Sequence, residues 1–312
     1  MKNTHYSKLR KQAINSWDPE IHYPDLHESI TRNKVVLKGP FFTPVGTGHA
    51  SIERMIALKY NLFAHVVPVH KPPGFSDELK VPFRDMNTVV VRENTEAEFS
   101  GLEHTVVPGV VESLKIVTRE KSSQIAEYAF DLAKRTKRTK VIAVHKANII
   151  KMGDGLFLKC CKEVAEKYPD VKYEEMIVDN ASMQLVKNPK YFENSVIVTT
   201  NLYGTIVSNI AVALVGGPGC VGGWNEGDDI AVFEQGARHV AADIAGQGIA
   251  NPTGLILSAV DMLRHLKMDE HADRIENAVR ETYSKNIDKL TPDVGGKAMT
   301  HDFVTALMNN MK

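Results

Sequence analysis

SSQIAEYAFDLAKRTKRTKVIAV, residues 122–144, is the stretch that decides the fold. From Ser122 to Arg135, Ile125, Tyr128, Ala129 and Leu132 recur at helical spacing and share one face. The pattern then breaks into a polar run and changes to Val141-Ile142-Ala143-Val144, a short continuous apolar stretch that reads as a buried strand. Outward from here the alternation repeats. Val35-Val36-Leu37, Thr88-Val89-Val90-Val91 and Val196-Ile197-Val198 read as strands, and Leu156 to Lys167 puts Phe157, Cys160, Cys161 and Val164 on one helical face. Short strands alternating with amphipathic helices predict an α/β fold, a sheet with helices on its faces. After Asn251-Pro252-Thr253, the residues Ile256, Ala259, Leu263 and Leu266 predict a helical stripe, with Asn251 placed to cap it and Pro252 in the first turn. The run His70 to Pro82 and the punctuation Gly216-Gly217-Pro218-Gly219 read as loops where the chain crosses between domains.

The bulk composition is that of an ordinary globular protein, with 43% hydrophobic and 24% charged residues in a chain of 312. Lys plus Arg equals Asp plus Glu at 38 each, which excludes a global field for gathering nucleic acid or an acidic membrane surface. No apolar run approaches the roughly 18 residues of a membrane span, so neither nucleic acid nor membrane is an expected partner. The cysteines Cys160, Cys161 and Cys220 include an adjacent pair that disulfide geometry disfavours and none has zinc-ligand spacing, pointing to a reduced compartment. Lys2, Lys8, Arg10 and Lys11 precede the first acid, Asp18, a pattern shared by mitochondrial presequences and by frayed basic termini.

Longer ordered segments are more specific. Leu37-Lys38-Gly39-Pro40, Val91-Arg92-Glu93-Asn94-Thr95-Glu96, Ala143-Val144-His145-Lys146-Ala147-Asn148-Ile149, Asn201-Leu202-Tyr203-Gly204 and Asn251-Pro252-Thr253 form one such set. Together they resemble the β-decarboxylating dehydrogenases, the family of isocitrate, isopropylmalate and tartrate dehydrogenases, across residues 33–307. Gly101-Leu102-Glu103-His104, Gly109 to Lys115 and Asp154-Gly155-Leu156-Phe157 are similar to the mitochondrial NAD-dependent isocitrate dehydrogenases within it. The resemblance implies the isocitrate/isopropylmalate dehydrogenase-like fold. Its discontinuous large domain would take 33–70 and 217–312, and its small domain 71–216, with an intersubunit β arm near 103–118. Gly109 to Thr118, rich in β-branched residues, reads on its own as an internal hairpin. The family's opening strand and Gly-Asp-Gly-Ile-Gly-Pro-Glu turn have no counterpart, so residues 1–32 are expected to be an atypical segment and the large domain truncated.

The resemblance to NAD-dependent isocitrate dehydrogenases implies oxidation of isocitrate with NAD and decarboxylation of the product to 2-oxoglutarate, using Mg²⁺ or Mn²⁺. That chemistry needs cations for three carboxylates, a metal on the hydroxyl and α-carboxylate, a base and an acid. By resemblance, Ser51 is a substrate-binding serine, though by itself it reads as a helix cap. The family asparagine and two arginines that accompany it are replaced by Glu53, Ala57 and Val67, an exchange expected to repel a trianion. Arg92 retains the next cation, with Asn148 as a further tricarboxylate contact, whereas Phe99 stands where the family's proton-donating tyrosine belongs. Lys146 matches the general-base lysine and Asp179 the metal aspartate given across the dimer interface; alone, each reads as a solvated loop charge. The other two metal aspartates are replaced by Thr205 and Asn209. The family's adenosine loop is altered after Phe233-Glu234, leaving Arg238 and His239, with Asn251, to meet the phosphate of AMP or ADP or merely to decorate a loop.

The losses fall on residues a chain uses for its own site, and the retained pair on residues it gives to its dimer mate. The resemblance therefore implies a regulatory, non-catalytic chain paired with a catalytic isocitrate dehydrogenase subunit in the mitochondrial matrix. NAD and Mg²⁺ or Mn²⁺ would sit in the partner's site, and citrate or isocitrate, with AMP or ADP, in this one. Two other readings stand beside it: an independently active hydroxyacid dehydrogenase of the family, which requires a metal site, and a degenerate structural fragment.

Overall fold

A computed structural model of the chain describes residues 23–43, 51–75 and 86–311. The basic stretch before Asp18, the segment expected to replace the opening strand, and positions 76–82 of the loop starting at His70 lie outside the described residues, except for residues 23–32.

In chain order the strands are β1 (Val35–Leu37), β2 (Ala64–His70), β3 (Asn87–Glu93), β4 (Ala97–Val107), β5 (Val110–Ile116), β6 (Lys140–His145), β7 (Lys172–Ile177), β8 (Ser195–Thr199), β9 (Gly222–Glu226) and β10 (Ala231–Gln235). The helices are α1 (Pro24–Asn33), α2 (Ile52–Lys59), α3 (Arg119–Arg135), α4 (Gly153–Ala165), α5 (Val178–Lys187), α6 (Asn201–Ala213), α7 (Thr253–His265), α8 (Asp269–Lys285) and α9 (Thr300–Asn310). One mixed sheet runs β1-β10-β9-β2-β3-β8-β6-β7, while β4 and β5 pair only with each other. Its β3, β8, β6 and β7 are parallel neighbours, so their carboxyl ends line up along one edge. The sheet is α/β as expected, and it takes strands from both sides of the domain crossings read at 70/71 and 216/217.

The apolar runs of the parallel strands have a direct cause: both faces are covered. Val90, Ile142, Val144 and Ile197 point into one core with Leu185, Phe192 and Val207. Val89, Val91, Val141, Ala143, Val196 and Val198 point into the other, against Ile125, Ala129 and Phe130 of α3 and Phe157 and Cys161 of α4. Thr118 caps α3 by accepting from Lys121 N at 3.2 Å. The three cysteines are free and buried. No helix among the described residues is long and apolar enough to cross a membrane.

The stripe read on α7 is corrected. Thr253, Gly254, Leu257, Ser258 and Val260 form its buried face, whereas Leu266 follows the helix and is exposed. Small residues face inward here because α7 lies against β9: a Cβ on Gly254 would stand 2.8 Å from Val221 O. Ser258 Oγ donates to Glu234 O at 2.6 Å, so its hydroxyl is satisfied in the interior. The Gly109 to Thr118 stretch forms one side of a projecting hairpin whose Val106, Val107, Val110, Val111 and Leu114 are exposed.

Candidate functional site

Side chains collect where the strands end, as in other open α/β sheets. Arg92, the penultimate residue of β3, is buried. Its Nη1 donates to Thr205 Oγ1 on α6, its Nη2 donates to Asn94 Oδ1 at 3.2 Å, and Phe99 lies 5.9 Å away, ring centroid to guanidinium carbon. α6 comes this close only because residue 204 is glycine: a Cβ there would stand 2.5 Å from Arg92 Cγ. Burial, and then the like charge of Arg238, lower Arg92 to about 9. Asn209 Nδ2 donates to Thr205 O at 2.8 Å. The two positions expected to replace metal aspartates thus carry neutral groups, and one of them already receives a guanidinium. These residues do not fit a divalent cation, and no metal-ligating cluster occurs among the described residues.

From Arg92 a line of polar contacts crosses the sheet. Asn94 Nδ2 donates to Asn225 Oδ1 at 3.3 Å, Arg238 Nη2 donates to the same oxygen at 2.8 Å, and Asn225 Nδ2 donates to Glu234 Oε1 at 2.6 Å. Glu234 also accepts from Arg238 Nε at 3.1 Å and pairs with Lys38, whose Nζ reaches Glu53 Oε1 at 2.6 Å. Glu53 further accepts from Phe41 N at 2.9 Å. The carboxylate expected to repel a tricarboxylate is therefore neutralised within the chain. Ala57 packs with Ile30, Leu62 and Val232, and Val67 with Phe75 and Val90, so hydrocarbon surrounds the two positions expected to have exchanged a guanidinium. His65 lies alongside, Nε2 3.9 Å from Glu234 Oε1; burial and then Arg92, Arg238 and Lys38 hold its pKa well below the usual range.

The expected nucleotide residues are each engaged with partners of their own. Arg238 turns inward to Glu234 and Asn225, while His239 is exposed, its Nδ1 accepting from Ala241 N at 3.2 Å. Asn251 Oδ1 accepts from Thr253 N at 3.0 Å at the start of α7, and its Nδ2 donates to Asp293 Oδ2 at 3.0 Å. With Arg238 and Asn251 committed in this way, the set as it stands forms no cradle for the pyrophosphate of NAD. Ser51 Oγ accepts from Arg54 N at 3.4 Å, capping α2.

Lys146 and Asp179 do meet. Lys146 follows β6, and Asp179 lies in the first turn of α5, two residues past the end of β7. Because β6 and β7 are parallel and His145 pairs with Ile177, the two loops emerge side by side. Their ion pair lies at the surface, the Lys146 side chain 24% and that of Asp179 65% exposed. The hydrogen bond from Lys146 lowers the Asp179 carboxyl below its ordinary range. Asn148, two residues on, is exposed. Sequence reasoning gave no role to Lys38, Asn225 and Glu234, nor to Asp154 behind Lys146; a charge or amide inside an apolar strand, as at Asn225 and Glu234, was the available signal.

A model of the family described as Isocitrate/isopropylmalate dehydrogenase matches residues 3–307, which carries the likeness into the stretch before Asn33 that holds none of the quoted motifs. The chain is 52% identical, over 91% of its length and 78% of the relative's, to a mitochondrial isocitrate dehydrogenase (NAD) regulatory subunit of Dictyostelium discoideum. It is 49% identical, over 91% of its length and 74% of the relative's, to a mitochondrial isocitrate dehydrogenase (NAD) catalytic subunit of Arabidopsis thaliana. The crystal structure of isocitrate dehydrogenase from Methylococcus capsulatus superposes with a TM-score of 0.85 at 37% identity, covering 98% of this chain and 94% of that one. A superposition over nearly the whole chain and a family match along nearly the whole sequence agree, and the chain belongs to the isocitrate/isopropylmalate dehydrogenase family.

Proposed function

We propose that this chain is a regulatory subunit of a mitochondrial-matrix NAD-dependent isocitrate dehydrogenase, lending Lys146 and Asp179 to a catalytic partner's site while its own cleft senses ligands. The observation that carries the reading is the Arg92 guanidinium bonded to Thr205, a cation held where a metal ligand would be needed. NAD and Mg²⁺ or Mn²⁺ in the partner's site would supply the hydride acceptor and the Lewis acid. Lys146 would take the hydroxyl proton of isocitrate and Asp179 would add one anionic oxygen; both stand at the surface, where a neighbour can reach them. The domain division at 70/71 and 216/217, and the hairpin as intersubunit arm, belong to the same reading.

Citrate or isocitrate is assigned to Ser51, Arg92 and Asn148, and AMP or ADP to Arg238, His239 and Asn251. An anion entering this cleft must draw Arg92 from Thr205 and Asn94, or Arg238 from Glu234 and Asn225. Binding is thereby tied to rearrangement of buried contacts, and a ligand that favours the rearranged form shifts the equilibrium toward it.

The 49% identity to a catalytic chain favours a second reading, an independently active dehydrogenase. Thr205 and Asn209 weigh against it, because neutral oxygens are poor holders of a hard cation. Isocitrate-dependent NADH formation by this chain alone, by a catalytic partner alone and by the pair separates the two. The expected outcome is an inactive chain, a pair more active than the partner, and loss of that gain, by about 100-fold or more at the shared site, on Lys146→Ala. Turnover by the isolated chain would overturn the assignment.

A further inference from the structure

Asp154 is a fully buried carboxylate in the first turn of α4, and the proposed chemistry does not use it. One of its oxygens accepts from the backbone N–H of Lys146 at 2.6 Å. The other lies 2.7 Å from Lys115 Nζ, an ion pair rather than a well-aligned hydrogen bond. Lys115 is the next-to-last residue of β5, at the root of the projecting hairpin. Its ammonium also lies 3.2 Å from Glu98 Oε1 on β4 and 4.2 Å from the ring centroid of Tyr203 on α6. One ammonium therefore joins the two strands of the hairpin to α4 and α6, and the carboxylate it faces grips the loop that carries Lys146.

A carboxylate taken out of water is costly unless paired, so this one has a reason to be here only as part of a constellation. Helix α4 does not use it as a cap, since no side chain makes a capping bond there. Charge is required for holding two donors at once from opposite directions, a strand-borne ammonium and the amide of residue 146.

We propose that Asp154, clamped by Lys115, is the positioning residue for Lys146, coupling the seat of the hairpin to the placement of the amine that a neighbour's site receives. The inference rests on the reading of Lys146 as a residue given in trans. Asp154→Asn presents an amide to Lys115 and releases it; Lys115→Met leaves the carboxylate buried without its cation. In either case the loop after β6 loses its fixed point. A misplacement on the order of 1 Å in a group that must meet a reacting atom costs about 100-fold in rate.

The test uses the assembled pair of this chain with a catalytic isocitrate dehydrogenase subunit, saturated with NAD and Mg²⁺. Asp154→Asn and Lys115→Met are expected to lower kcat about 10- to 100-fold, with KM for isocitrate and NAD within about twofold and with co-purification of the subunits unchanged. Lys115→Arg is expected to restore most of kcat, since a guanidinium can pair with the same carboxylate. A role confined to folding would instead lower the yield of pairs and leave kcat per assembled pair intact. An assembled Asp154→Asn pair at full kcat overturns the inference. Should that variant fail to assemble, equal kcat for Lys115→Met and Lys115→Arg overturns it. Lys146→Ala run alongside keeps the two levels apart: an unimpaired Lys146→Ala pair sinks the in-trans reading, whereas a dead Lys146→Ala pair beside a fully active Asp154→Asn pair sinks only the positioning role.

Discussion

Glu234 is wholly buried and still ionised: burial would raise its carboxyl, but Arg238 and Lys38 together hold it at about 2, against an ordinary 4.5. A depressed carboxyl contributes stability that is complete above pH 4.5 and is lost as pH falls toward 2. Glu234→Gln leaves Lys38 and Arg238 facing a neutral group in the interior and is expected to cost about 3–5 kcal/mol at pH 7. Urea unfolding at pH 7 and pH 3 checks it, because the deficit of the variant should shrink at the lower pH, where the wild type has lost part of the same contribution. Gly204→Ala drives a methyl into Arg92 and is expected to destabilise by about 1–3 kcal/mol in the same assay, whereas Gly155→Ala, with open space around it, serves as the control. Sequence reading reached Arg92, Thr205 and Glu53 but gave Glu53 the wrong environment. Lys38 meets Glu53 across 15 positions of chain and Glu234 across 196, and no local pattern carries such a distance.

Elements were more legible than their faces. The α3, α4 and β6 assignments hold because periodicity reports burial directly when large apolar side chains face a sheet. On α7 the rule fails, since a helix lying close to strands buries glycine, serine and threonine and leaves larger residues at the rim. The junction of β3, the hairpin and α3 was also invisible, because its anchor is a charged residue. Glu96 accepts from Thr118 N at 2.9 Å and from Thr118 Oγ1 at 2.8 Å, tying the end of the hairpin to the cap of α3. Burial, and then the neighbouring Glu93, push Glu96 up to about 7 from 4.5. A raised carboxyl keeps its proton longer when folded than when unfolded, so the folded state binds more protons between those values and stability falls as pH rises from 4.5 to 7. His65 acts in the opposite sense and Asp261 in the same sense over this window, so the readout is a difference. Thermal unfolding should show Glu96→Gln gaining on the wild type as pH rises from 4.5 to 7, and a constant difference would show that Thr118 holds the group fully ionised.

At the scale of the molecule, the hairpin of β4 and β5 is the feature that a lone chain explains least. A two-stranded ribbon is marginal in water unless something packs on it, yet this one projects with Val106, Val107, Val110, Val111 and Leu114 exposed. Met183 and Val186 on α5 and Leu202 and Ile206 on α6 are exposed as well, and these helices carry Asp179 and Thr205. Apolar surface next to residues proposed for a shared site is what a second chain would cover, and on that proposal covering it would seat Lys115 and with it the loop of Lys146. Val107→Lys together with Val111→Lys places two charges on that surface without touching a core residue. The melting temperature of the isolated chain should therefore stay within about 2 °C of the wild type, as surface changes usually fall within about ±0.5 kcal/mol. Co-elution with the catalytic chain should be lost, and with it the gain in NADH formation. A doubly charged hairpin that still assembles with undiminished affinity would mean that the arm does not mediate pairing, and the exposed faces of α5 and α6 would have to carry the contact alone.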